Sequence, residues 1–163
     1  MNLRLAVLFL AVVSLSQLRA QESCESLFFT DTLTNPVDHK VVEGLSAETT
    51  LKNLSVIRAV KTSDNRYFLR MIVTRNFYFD KVATLEIRSG KRSYYAKDTR
   101  QFKINKTTGL FVIEIYKNYL AQLKDDGITS IVFGEAETDF TRQDASNLRK
   151  MFKCFYEKSV AQK

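Results

Sequence analysis

The sequence predicts an α+β fold: an antiparallel β-sheet built from successive hairpins, packed by two C-terminal helices in a β-α-β-α ending. Three observations predict it. Short runs of β-branched and aromatic residues recur between clusters of turn-forming residues. In the last third the apolar spacing changes from the period of a strand to that of a helix. Composition then supplies a core, because 45% of the 163 residues are hydrophobic, 26% are charged and only one is proline. These values exclude a disordered, collagen-like or disulfide-dense miniprotein class.

Residues 1–20 are set aside before any fold argument. Arg4 precedes the apolar run from Leu5 to Val13, and small and polar residues continue to Ala20. That order is a charged segment, a hydrophobic segment and a cleavage region, the pattern of an export signal peptide. The run is too short for a membrane span, which takes about 20 apolar residues. Cleavage is expected after Ala20; cleavage after Ser16 and an uncut N-terminal anchor stay open. A lipid-modified Cys24 ranks below these, because Gln21-Glu22-Ser23 is too polar for that processing. Losing Arg4 and Arg19 lowers the net charge from +7 to +5, and the mature chain is long enough for one domain with one core.

Residues 21–53 read as a loop-rich lead-in with one short strand, since Phe28-Phe29, Pro36 and Gly44 sit among Thr, Asp, Asn and Glu. Residues 54–163 form the remainder of the same domain. Leu54–Lys61 and Tyr67–Arg75 read as strands around Thr62-Ser-Asp-Asn-Arg66, where Asp64 and Asn65 tolerate unusual backbone angles. Tyr67, Leu69, Met71 and Val73 share one face by alternation. Val82–Arg88 and Ser93–Lys97 flank Ser89-Gly90-Lys91, and Phe102–Ile104 and Leu110–Ile115 flank Asn105-Lys-Thr-Thr-Gly109, giving three hairpin-like units. Tyr116, Tyr119, Leu120 and Leu123 then have helical spacing, with Gly127 as a stop, and Ile128–Phe133 is a short apolar strand. Thr141 and Asp144 form a capping box. After it Ala145, Leu148, Met151, Phe152 and Phe155 line one face, while Arg142, Lys150 and Lys153 point away.

The most distinctive chemical feature is a basic segment. Arg88, Lys91, Arg92, Lys97, Arg100, Lys103 and Lys106 stand against Asp98 alone, a net +6 over residues 88–106, with Tyr94, Tyr95 and Phe102 interleaved. Cations beside flat rings suit polyanions, because the cations meet phosphates or sulfates and the rings stack. The plainer reading is a half-exposed strand pair whose aromatics face the core and whose cations face water and deter edge pairing. Residues 125–144 supply an acidic counterweight in Asp125, Asp126, Glu135, Glu137, Asp139 and Asp144, opposed by Arg142. The two segments either give a dipolar molecule or adjoin in the fold and neutralise one another. Glu135, Glu137 and Asp139 alternate, as on the solvated face of an edge strand. Three carboxylates on one face could hold calcium through hard oxygen ligands, but a solvated face is the commoner case; Asp125-Asp126-Gly127 lacks the spacing of a calcium loop and reads as a helix-ending turn, and no metal site is expected.

Phe77-Tyr78-Phe79 puts three rings in succession, so one ring must leave the main core unless the chain bends there. His39, two residues after Asp38, is the sole histidine; nothing nearby supplies a nucleophile, and a surface position is the better reading. No phosphate-binding loop, dinucleotide fingerprint or zinc motif occurs, so no cofactor is implied and no catalytic residue is assigned. In an oxidising compartment Cys24 and Cys154 would enclose nearly the whole domain if bonded; two independent cysteines are the alternative. Asn53-Leu-Ser55 and Asn105-Lys-Thr107 are acceptor triplets for N-glycosylation where the host carries it out.

The expectation is therefore an exported protein, secreted or periplasmic, acting as a non-catalytic binding or interaction module. Arg88, Lys91, Arg92, Tyr94, Tyr95, Lys97, Arg100 and Lys103 are the candidate contacts. The partner is expected to be an unknown protein or an anionic polymer; nucleic acid is disfavoured, because an exported protein meets envelope polymers first. A small envelope hydrolase using carboxylates and an accessory subunit of a larger assembly are the alternatives.

Overall fold

The structure, a computed structural model, describes residues 24–34, 41–52, 55–74, 85–96, 100–134 and 136–160. The expected signal peptide, His39, Lys97 and the Phe77–Phe79 run lie outside the described residues. The chain forms an α+β fold, with two antiparallel sheets in place of the expected one.

The larger sheet has six strands in the order β1-β2-β3-β4-β8-β7. They are β1 (Phe28–Thr34), β2 (Val41–Thr50), β3 (Val56–Thr62), β4 (Tyr67–Thr74), β7 (Arg100–Lys103) and β8 (Thr108–Ile115). The smaller sheet has the order β10-β9-β5-β6, from β5 (Leu85–Ser89), β6 (Arg92–Ala96), β9 (Ser130–Phe133) and β10 (Ala136–Asp139). Helix α1 (Lys117–Asp126) and helix α2 (Arg142–Ser159) complete the described fold.

The lead-in is more ordered than its composition suggests. It contributes two strands, of seven and ten residues. The pairing of β2 with β3 requires Gly44, which stands opposite Thr62: a Cβ there would lie 2.6 Å from the Lys61 carbonyl oxygen, so the side chain is missing where the two backbones approach closely. At the three hairpin turns the local chemistry works as the sequence predicts. Asn65 takes a positive φ of 62°, Gly90 one of 58°, and the Asn105 side chain caps the turn between β7 and β8. The β5–β6 connection is Gly90-Lys91 between the paired residues Ser89 and Arg92, a two-residue hairpin loop with glycine where φ is positive.

The inner face of the large sheet carries Ile57, Ala59, Leu69, Met71, Val73, Phe111 and Ile113, all fully buried or nearly so. Helix α2 packs on β2 and β3, and α1 packs on α2 and β5. Leu85, Ile87, Ile131 and Phe133 of the small sheet join the same buried cluster, and Phe111 meets Phe133 ring to ring at 4.7 Å. The main core thus lies where two sheets and two helices converge, with a small separate cluster of Val60 and Phe68, and burying each phenylalanine contributes roughly 2–3 kcal/mol.

Helix α2 begins as its sequence requires. The Thr141 hydroxyl accepts from the Asp144 N–H, and the Asp144 carboxylate accepts from Thr141 in return. Asp144 is itself buried and also accepts the Lys52 N–H at 3.0 Å, so one side chain caps α2 and ties it to the end of β2. Leu148, Met151, Phe152 and Phe155 are buried as expected, and Cys154 is buried with them. Cys24 and Cys154 are disulfide-bonded with Cα atoms 5.7 Å apart, which resolves the two alternatives for the cysteines. Beside the bond Lys158 pairs with Glu25 at 3.3 Å and lies over the Phe28 ring at 4.4 Å.

Candidate functional site

The basic segment is divided between the two sheets. Its first part is the β5–β6 hairpin of the small sheet, and its second part is β7 of the large sheet. In β7 Arg100 stands opposite Val112 and Lys103 opposite Gly109 in the register. Arg88, Lys91, Arg92, Tyr94 and Tyr95 all lie on the hairpin, in surroundings that differ.

Strand alternation sends Tyr94 and Tyr95 to opposite faces. Tyr94 is half-buried and stacks on Tyr119 with ring centroids 4.2 Å apart. Its hydroxyl donates to the Glu114 carbonyl at 3.1 Å. Burial first, and then the neighbouring Tyr116 and Glu114, push the Tyr94 phenol above its ordinary pKa. Tyr119 is buried beneath it, and burial raises its phenol much further. Tyr94 is therefore a packing residue that joins the hairpin to α1. Tyr95 is 63% exposed, and it is the ring that this hairpin offers to solvent.

Arg88 is committed as well. Its Nε donates to Glu86 at 3.0 Å, and its Nη1 donates to Glu137 on β10 at 2.6 Å. The Ser93 hydroxyl donates to the same Glu86 oxygen, and the Ser130 hydroxyl to Glu137, each at 2.6 Å. The Arg88 guanidinium first, then the Ser93 hydroxyl, hold the Glu86 carboxyl below the ordinary carboxylate range, with Tyr95 adding a hydrogen bond of its own. The outer face of the small sheet is thus a polar network in which one arginine bridges two carboxylates.

Two cations remain at the hairpin tip. Lys91 and Arg92 are both exposed. The Asp126 side chain stands against the tip, since a Cβ on Gly90 would lie 3.1 Å from its Cγ. The turn is held from below, where the Thr129 N–H donates to the Arg88 carbonyl at 2.9 Å. The basic and acidic segments therefore adjoin at Arg88–Glu137 and at Gly90–Asp126. Glu137 and Asp139 are exposed on the edge strand β10, as their alternation predicts.

Tyr116 was not anticipated at this surface. Helical spacing groups it with Tyr119 and Leu120 on a buried face, but it occupies the N-cap of α1 in extended conformation and is 72% exposed. The signal available was its position directly after the β8 run, where a helix has not yet begun. Among the described residues no group of three or more metal-ligating side chains converges. Comparison of the chain with protein-family models, with curated proteins and with solved structures finds no match.

Proposed function

We propose that the protein is an exported, non-catalytic binding module that engages an anionic polymer through the tip of the β5–β6 hairpin. The observation that carries this reading is the exposure of Lys91 and Arg92 on a short, braced turn of the hairpin that also exposes the Tyr95 ring. Two adjacent cations with a flat ring on the same hairpin suit repeated sulfate or phosphate groups. Export is supported by the Cys24–Cys154 bond, because such bonds persist in oxidising compartments. No described helix is long and apolar enough to cross a membrane.

Chromatography on heparin resin tests the proposal. The native protein is expected to be retained, and the Lys91→Glu/Arg92→Glu variant to elute at clearly lower salt; Tyr95→Ala should shift elution less. Equal elution of the native protein and the double variant would reject the hairpin tip as the contact.

A further inference from the structure

We infer that Asn105 is an N-glycosylation site, and that it is the acceptor the folded protein presents. The inference concerns a different part of the molecule from the hairpin tip, but it rests on the same passage through an oxidising compartment. Of the two acceptor triplets, Asn105-Lys106-Thr107 is described in full and is open. Asn105 and Lys106 are exposed and Thr107 is half-buried, all in the turn between β7 and β8. The third residue of the other triplet is unsuited to recognition in the folded state, since Ser55 is fully buried and its hydroxyl accepts the Thr74 N–H at 3.2 Å.

The local geometry at Asn105 also fits the chemistry. Both the Thr107 N–H and the Thr107 hydroxyl donate to Asn105 Oδ1, at 2.9 and 3.2 Å. These bonds engage the amide oxygen rather than Nδ2, the atom that carries a glycan. Donation to the oxygen draws electron density from the nitrogen and makes an Nδ2 proton easier to remove. The transfer would use a lipid-diphosphate-linked oligosaccharide and its membrane transferase. A bond forms between Nδ2 and the anomeric carbon, and the anomeric carbon–oxygen bond to the diphosphate breaks. The lipid diphosphate leaves with the electron pair, and the amide proton passes to a base of the transferase. No oxidation or reduction is involved. The first sugar would lie beside Ile104, which is 53% exposed, and would cover an otherwise bare apolar side chain.

The test expresses the full chain in a secreting eukaryotic cell, once with its own first twenty residues and once with an established leader in their place. Protein from medium and lysate together is treated with peptide N-glycosidase and mapped by mass. The expected result is one glycan, released with conversion of Asn105 to Asp, lost in Asn105→Gln and in Thr107→Ala and kept in Thr107→Ser. A glycan seen only with the substituted leader would uphold the site and reject export by the native N-terminus. A disulfide-bonded product without a glycan under the substituted leader, or a glycan that persists in Asn105→Gln, would overturn the inference.

Discussion

The outer faces of the two sheets are built on the same motif and end with different charge. On the large sheet Arg58 reaches Asp31 and Glu48, Arg70 stands 3.7 Å from Asp31, and the Phe29 ring lies 4.6 Å from the Arg58 guanidinium. Two arginines meet two carboxylates, and the Arg58 side chain is only 20% exposed. On the small sheet one arginine, Arg88, meets Glu86 and Glu137 and is 42% exposed. The middle of that face therefore carries more negative than positive charge, and its cations are displaced to the tip at Lys91 and Arg92. Charge counted along a sequence is not the charge a surface displays. Among the described residues, the run of +6 divides into one arginine paired with two carboxylates, two exposed cations at a hairpin tip, and a strand and turn of the other sheet.

The two sheets are also held differently. The large sheet is tied covalently to α2 next to its edge strand β1, whereas the small sheet relies on side-chain hydrogen bonds and packing. The largest expected effect breaks the covalent tie. Replacing both cysteines, Cys24→Ser/Cys154→Ser, should destabilise the fold by up to about 5 kcal/mol, the chain-entropy value for a loop of this length. Chemical denaturation checks the loss. Hydrogen exchange should rise first in β1 and β2 and last in β5 and β6; equal acceleration in both sheets would mean that they are not held independently.

A smaller effect is expected at the start of α2. Thr141→Ala should cost about 1 kcal/mol, the usual value of a lost N-cap. The same cap makes the junction between β2 and α2 acid-sensitive. Burial pushes the Asp144 carboxyl up, but the hydrogen bonds from Thr141 and from the Lys52 N–H outweigh it and hold the group below its ordinary value of 3.8. A carboxyl depressed in the native state gives stability that is complete above its unfolded pKa and lost as pH falls through the native one. Denaturation midpoints of the native protein should therefore fall in the acid range, and those of Asp144→Asn should fall less steeply there. Glu86, depressed by Arg88, adds an acid loss on the small sheet that this variant leaves in place. The smallest effect belongs to the hairpin tip. Lys91→Glu/Arg92→Glu should leave stability within about 0.5 kcal/mol, as for most exposed positions, so a thermal melt separates lost binding from lost folding.

What was legible in the sequence was local. Asn65, Gly90 and the Asn105 turn announce their hairpins because turn chemistry acts over a few residues, and Thr141 and Asp144 announce α2 for the same reason. The split into two sheets was not legible, because β6 and β7 follow one another at the spacing of a continuing meander. Strands β1 and β2 were masked by Thr, Glu and Gly44, residues that fit there through contacts made later in the chain. Alternation shows that Tyr94 and Tyr95 part company, but only Tyr119, twenty-five residues on, decides which of them is buried. The partner of Arg88 on β10 is more distant still, at Glu137, and no pattern within the basic run points to it.

The Cys24–Cys154 bond also alters how the molecule would bear a mechanical load. Tension applied to chain outside the two cysteines passes through a sulfur–sulfur bond and does not peel the strands from one another. A single protease cut between the cysteines would likewise leave both fragments on one covalent thread, separable only once a reductant is added.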